Sequence, residues 1–117
     1  RIPGVLHTVN PRAAEKRAIY RENSREFSLI ETDCFGTLLM MEVGALLVGK
    51  IVNHHGAGRV RRGEEKGFFQ FGGSSVVLCL EQGRIDISPD ILENSACGAE
   101  TVVKMGEVTG LAPEEAR

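Results

Sequence analysis

One segment constrains this chain more than any other: residues 61–80 read RRGEEKGFFQFGGSSVVLCL. Glycine-bounded turns at 63–67 and 72–75 enclose a short apolar run, and a second, β-branched apolar run follows. Short apolar runs between glycine-rich turns are typical of successive β-strands. The segment therefore predicts strand, tight turn, strand. It places Ser74 and Ser75 at the mouth of the second strand, where a hydroxyl can reach a backbone carbonyl.

Short strands and turn signals continue through the rest of the chain. Further strands are predicted at 2–9, 26–32, 36–43, 46–52, 85–87 and 101–104. Short helices are predicted over 13–21 and 90–94, because Asn10-Pro11 and Ser88-Pro89 combine a capping residue with a proline at the first helical position. The tail LAPEEAR is expected to be polar and frayed. The predicted fold class is mostly β: a compact barrel- or sandwich-like domain of short antiparallel strands with one or two short helices.

Length and charge limit the functions that the chain can serve. The 117 residues suffice for one domain with a buried core. A net charge of −2, from 14 basic and 16 acidic residues, excludes a generally basic polyanion binder, so no nucleic-acid partner is expected.

Cys34, Cys79 and Cys97 are odd in number and form no CxxC motif. They predict neither a disulfide framework nor a zinc site, and reduced, intracellular thiols fit best.

Several polar residues could carry chemistry, but most have a simpler interpretation. His54 and His55 are adjacent, so in an extended chain they point to opposite faces, and we interpret them as exposed loop residues. His7 stands alone and is interpreted as structural. Glu64 and Glu65 lie in a charged turn. No metal site is predicted, and substrate-binding residues remain unassigned.

Ser74 is the remaining candidate, because it follows Gly73 in a tight turn. A serine hydroxyl is a poor nucleophile until a base takes its proton or the local geometry forces attack. In one chemistry such a hydroxyl attacks the preceding carbonyl and the acyl group moves from nitrogen to oxygen. Elimination then leaves dehydroalanine, which hydrolyses to a pyruvoyl group. Gly73 suits this attack because no side chain shields its carbonyl, and backbone strain would lower the barrier.

At these residues the chain resembles the phosphatidylserine decarboxylase family. The likeness extends over nearly the whole chain and keeps the family's order and spacing. The segments that carry it are IPGVLHTVNPRA, ENSREFSLIETDCFG, VGALLVGKI, RRGEEKGFFQFGGSSVVL and ETVVKMGEVTG.

The resemblance implies a proenzyme that cuts itself between Gly73 and Ser74. Ser74 would become a covalent pyruvoyl cofactor, which forms a Schiff base with phosphatidylserine and releases phosphatidylethanolamine. The chain would be the C-terminal portion of one catalytic domain, with 1–73 ending the β subunit and 74–117 forming the α subunit. The two pieces would stay together because their strands share one sheet. The implied location is intracellular, peripheral at the cytoplasmic membrane surface, and a homo-oligomer is left open.

The chain departs from the family's pattern in two ways. It has GGSS where many members have LGST. It also matches neither the family's upstream Tyr-His-Arg…His-Pro motif nor its further upstream Asp, so no acid–base role is assigned to any histidine. The chain therefore need not mature or turn over by itself. Two alternatives stay open: a pyruvoyl-dependent decarboxylase of a free amino acid, and a non-catalytic biotinyl- or lipoyl-like β module. The module would need Lys66 as its carrier, although GEEKGF is the wrong setting for a carrier lysine.

Overall fold

The computed structural model describes residues 1–48 and 50–113 of the chain. Its helices are α1 (Pro11–Ala14), α2 (Ile19–Glu22) and α3 (Pro89–Ala96). Its strands are β1 (Arg25–Thr32), β2 (Gly36–Val43), β3 (Ile51–Asn53), β4 (Gly67–Phe69), β5 (Ser75–Cys79), β6 (Asp86–Ile87) and β7 (Gly110–Leu111). The mostly β class with short helices is confirmed.

The strands form separate open sheets, and no closed barrel is formed among the described residues. A three-stranded sheet has the order β1-β2-β5. The β3 and β4 strands pair antiparallel, with Ile51 opposite Phe69, and β6 pairs antiparallel with β7. The strands that flank the GGSS turn therefore lie in different sheets. The predicted order of strand, turn and strand is present, but the two strands do not pair with each other, because β4 pairs with β3 and β5 pairs with β2.

The chain divides into two compact units. The first consists of Arg1–Ser28 with Leu39–Leu78, and the second of Leu29–Leu38 with Cys79–Arg117. The second unit holds α3 and the β6–β7 pair. The first unit contains the buried apolar residues of the described chain: Ile19, Val43, Ala45, Val48 and Ile51.

Helix starts were predicted better than helix lengths. Both α1 and α3 begin at a proline, and Asn10 Oδ1 accepts a hydrogen bond from the Arg12 amide at 2.9 Å, as a capping residue should. Ser88 makes no such side-chain cap. The predicted helix over 13–21 is interrupted, since α1 ends at Ala14 and α2 begins at Ile19. Ile19 is fully buried, so packing outweighs the good helix propensity of the intervening residues.

Two predicted terminal strands are not formed. Over 2–9 the chain makes only single bridges at Ile2 and Val5, because Pro3 between them has no amide hydrogen to donate to a ladder. The predicted strand at 101–104 is also wrong: Val102 is 93% exposed, and the last strand is β7 instead. The predicted frayed tail begins inside β7, and its last four residues lie outside the described part.

The predicted strand over 46–52 is much shorter than expected. Ala45 and Val48 form a bridge around a tight turn, in which Leu47 has a φ of 68° and is 80% exposed. Only from Ile51 onward does the chain pair as β3. Gly49, the predicted bulge, lies outside the described residues. The apolar run predicted too long a strand because two of its leucines face solvent rather than the core.

Candidate functional site

The connection between β4 and β5 carries backbone strain immediately before Ser74. Phe71 has a φ of 66° and Gly72 a φ of 136°, both in the left-handed range that favours glycine. Phe71 is 87% exposed, so little packing compensates for its unfavourable backbone. A non-glycine residue in this region typically stores about 1 kcal/mol or more. Backbone strain is therefore present two residues before the predicted cut.

Gly73 lies in open space. A β-carbon added at Gly73 would meet no atom within 4 Å, and the residue is exposed. This openness agrees with the prediction that no side chain crowds the Gly73 carbonyl. Apart from its two chain neighbours, no described residue crowds the side-chain position of Gly73.

The side chain of Ser74, by contrast, is held in place by a hydrogen bond. It is half-buried at the entrance to β5, and its hydroxyl donates a hydrogen bond to the backbone carbonyl of Val43. Val43 is the last residue of β2 and is fully buried. A carbonyl oxygen orients a hydroxyl but is far too weak a base to remove its proton. The contact therefore fixes the direction of the nucleophile without activating it.

A buried asparagine supports the residues around Val43. Asn23 is fully buried, and its Nδ2 donates to the carbonyls of His7 and Gly44, both at 2.8 Å. Its Oδ1 accepts a hydrogen bond from the His7 amide at 3.0 Å. The amide group is thus satisfied at three points, as a buried polar group must be. Sequence reasoning missed Asn23, whose only local signal is a polar residue just before a strand.

Gly44 is fixed on both sides by the residue pair 23–24. Its amide donates to the Ser24 carbonyl at 2.7 Å, and its carbonyl accepts from Asn23. A β-carbon at Gly44 would lie 3.0 Å from the Ser24 oxygen and 3.2 Å from Leu6 Cδ2. The close approach of these backbone segments explains why glycine stands here.

The histidines contact glutamates rather than Ser74. His7 Nε2 lies 3.1 Å from Glu22 Oε2 in the first unit, which fits its predicted structural role. His54 Nε2 lies 2.9 Å from Glu65 Oε1, and His55 Nε2 lies 2.9 Å from the Glu65 carbonyl. The exposed histidine pair and the charged turn were predicted separately, and the fold brings them together.

No metal-binding cluster or membrane-spanning helix accompanies these residues. In residues 1–48 and 50–113, no three or more His, Cys, Asp or Glu side chains are grouped to hold a metal ion. The helices of the described part are too short or too polar to cross a bilayer. The cysteines, which are free in the structure, are Cys34, Cys79 and Cys97.

A second polar cluster surrounds Glu42 in the first unit. Lys66 Nζ donates to Glu42 Oε1 and, at 2.7 Å, to Asn53 Oδ1, and Asn53 Nδ2 donates to Glu26 Oε2 at 2.8 Å. Glu42 is 6% exposed, and its Oε2 has no hydrogen-bond partner among the described residues. The group borders a cavity of about 90 Å³. Lys66 is thus engaged in an ion pair, so it is not the free, exposed lysine that a carrier module would require.

Comparison with known proteins identifies the family. The family model described as Phosphatidylserine decarboxylase matches residues 1–111. Phosphatidylserine decarboxylase proenzyme 2 of Clostridium acetobutylicum is 49% identical over 109 residues, which cover 93% of this chain and 37% of the relative. The phosphatidylserine decarboxylase proenzyme of Desulfitobacterium hafniense (strain Y51) is 46% identical over 113 residues, covering 95% of this chain and 38% of the relative.

These relatives are longer than the chain, which spans little more than a third of their length. No solved structure matches it. The family model and the relatives both extend across the strained turn, the open Gly73 and the oriented Ser74. This chain therefore belongs to the phosphatidylserine decarboxylase family.

Proposed function

We propose that the protein is a pyruvoyl-dependent carboxy-lyase that converts phosphatidylserine to phosphatidylethanolamine after self-cleavage between Gly73 and Ser74. The observation that carries this proposal is the Ser74 hydroxyl held on the Val43 carbonyl, directly after a strained turn that ends at an unshielded glycine. The names of the relatives, which include both the lipid and the word proenzyme, support the substrate and the precursor state.

In the proposed cleavage Ser74 Oγ adds to the Gly73 carbonyl carbon. The bond from that carbon to the Ser74 nitrogen breaks, which leaves an ester on Oγ and a free amine. Loss of the Ser74 α-proton then expels the Gly73 carboxylate and forms dehydroalanine. Water adds at the α-carbon, ammonia leaves, and a pyruvoyl group remains at position 74. Orientation of the hydroxyl by Val43 removes part of the entropic cost of the first step.

The residues around position 74 fit a pyruvoyl group. When present, this group supplies an electron sink for the loss of a carboxyl group from an amine-bearing substrate. The β5 strand, paired with β2, anchors the segment that follows the group. The open space at Gly73 leaves an approach for a substrate amine. Among the described residues no side chain is hydrogen-bonded to the Ser74 hydroxyl, so no residue is assigned here as the base that removes its proton.

Intact-protein mass spectrometry of the full-length protein under denaturing conditions tests the cleavage. Two fragments that divide between Gly73 and Ser74 are expected. The C-terminal fragment should be lighter than its serine-headed form by the mass of one ammonia, and it should react with a hydrazine reagent specific for ketones. The Ser74→Ala variant, which has no nucleophile, should stay whole. A single uncut parent chain with an unmodified serine would overturn the proposal.

A vesicle assay tests the substrate and the membrane partner. Phosphatidylserine presented in phosphatidylcholine vesicles should release carbon dioxide when mixed with the cleaved protein. Free serine and other free amino acids at the same concentration should not. The reverse result would retain the pyruvoyl chemistry but replace the lipid with a free amino acid, and it would remove the reason to expect contact with a membrane surface.

A further inference from the structure

We infer that Asn23 is a positioning residue for self-cleavage. By holding Gly44, it fixes the direction of the Val43 carbonyl that orients the Ser74 hydroxyl. The inference rests on the proposed function and adds a residue for which sequence reasoning gave no role. It follows from the hydrogen bonds on the two peptide units that flank the Gly44 α-carbon.

The first peptide unit joins Val43 to Gly44. A trans peptide is planar, so its carbonyl and its amide hydrogen point in opposite directions. The Gly44 amide donates to the Ser24 carbonyl at 2.7 Å, and no cis peptide bond occurs among the described residues. The Val43 carbonyl must therefore point away from Ser24, and in that direction it accepts the Ser74 hydroxyl hydrogen.

The second peptide unit begins with the Gly44 carbonyl. Glycine has the widest range of backbone angles of any residue, so the Val43–Gly44 unit would be free to tilt if only one side were fixed. Asn23 Nδ2 prevents this by donating to the Gly44 carbonyl at 2.8 Å. The asparagine is itself fixed by two hydrogen bonds to the His7 backbone. Because Asn23 is 0% exposed, bulk water cannot take over these bonds.

Pulse–chase synthesis of the full-length protein in a cell-free system measures the rate of cleavage directly. The Asn23→Ala variant should be cut at least about ten-fold more slowly than the parent at equal folded fraction, because loss of orientation is costly for an intramolecular attack. Ile19→Ala is the matched control. Ile19 is equally buried in the same unit, but its side chain donates no hydrogen bond to Gly44.

The size-conserving variant Asn23→Asp gives a second readout that a packing role would not produce. A protonated carboxyl can donate to the Gly44 carbonyl, whereas an ionised one can only repel it. Burial favours the neutral form of such a group. The cleavage rate of Asn23→Asp, divided by the parent rate at the same pH, should therefore rise as the pH falls.

Each outcome decides between distinct claims. If Asn23→Ala is cut as fast as Ile19→Ala at equal folded fraction, or if the Asn23→Asp ratio does not change with pH, Asn23 only stabilises the fold and the inference is overturned. If the parent itself stays uncut, both the proposed function and this inference fail. If the parent is cut and the asparagine variants are selectively slow, the positioning role is supported.

Discussion

The two sides of the Gly73–Ser74 bond differ in how firmly they are held. On one side, the Ser74 hydroxyl is bonded to the fully buried Val43, in a segment fixed by Asn23. On the other side, Gly73 stands in open space after Phe71, which is exposed and in a left-handed conformation. The nucleophile is therefore oriented, while the carbonyl it would attack belongs to an exposed glycine two residues after the strained Phe71. An intramolecular reaction gains from both properties.

The largest loss of stability and of cleavage rate is expected from Gly44→Ala, which crowds the segment that holds Ser74. The new β-carbon would lie 3.0 Å from the Ser24 carbonyl oxygen and 3.3 Å from that of Val48, and backbone atoms cannot move aside cheaply. Overpacking of this kind typically lowers the free energy of unfolding by about 1–3 kcal/mol. Because Val43 would move with Gly44, cleavage should slow by more than about ten-fold. Thermal denaturation and pulse–chase cleavage measure the two effects.

Gly56→Ala is the control for that comparison. A β-carbon at Gly56 would meet nothing within 4 Å, so the free energy of unfolding should stay within about 0.5 kcal/mol of the parent value. Equal unfolding temperatures for Gly44→Ala and Gly56→Ala would show that the segment around Val43 is not firmly held, so the two sides of the Gly73–Ser74 bond would not differ in this respect.

A smaller fall in cleavage rate is expected from Phe71→Gly, which removes the backbone strain before Gly73. Glycine adopts the left-handed conformation without penalty, so about 1 kcal/mol of strain should disappear, and the cleavage rate should fall about five-fold if that strain assists the reaction. Leu47→Gly is the matched control, because Leu47 has a φ of 68° and is 80% exposed in a different turn. Pulse–chase rates compare the two. An equal slowing by both variants would mean that strain beside the cut has no special role.

The smallest effect is expected from Gly73→Ala. The site has room for a methyl group, so the free energy of unfolding should change by no more than about 0.5 kcal/mol. A methyl group next to the attacked carbonyl should nevertheless slow cleavage about two- to three-fold by partly shielding it. Fragment yield over time, compared at equal folded fraction, measures this. An unchanged rate would show that the openness of Gly73 does not matter to the reaction.

Local signals predicted the features that depend on neighbouring residues. The mostly apolar run from Gly36 to Val43 became β2 with the predicted bounds, and both proline-marked helix starts were confirmed. The prediction that a serine hydroxyl at the strand entrance reaches a backbone carbonyl is also confirmed. In each case the physical cause lies within a few residues of the feature, so a sequence can display it.

Features that depend on pairing between distant segments could not be predicted. Nothing near Ser74 indicates that its partner carbonyl belongs to Val43, or that Asn23 supports it, because both lie far away along the chain. The ion pair between Lys66 and Glu42 was missed for the same reason: each residue taken alone resembles an ordinary surface charge. The GGSS turn correctly predicted a change of direction, but a turn signal does not specify which strand becomes the hydrogen-bonding neighbour.

The separation of β4 and β5 into different sheets has a consequence for what cleavage does to the surface. The residues between these strands belong to no ladder, so cutting at Gly73 breaks the covalent link without removing any sheet hydrogen bond. After the proposed cleavage the new carboxyl end would lie three residues beyond Gln70, whose amide donates to the Lys50 carbonyl at 3.0 Å, while position 74 would stay attached to β5. The proposed reaction would thus remove the covalent connection on one side of position 74 at the same time as it creates the reactive carbonyl there.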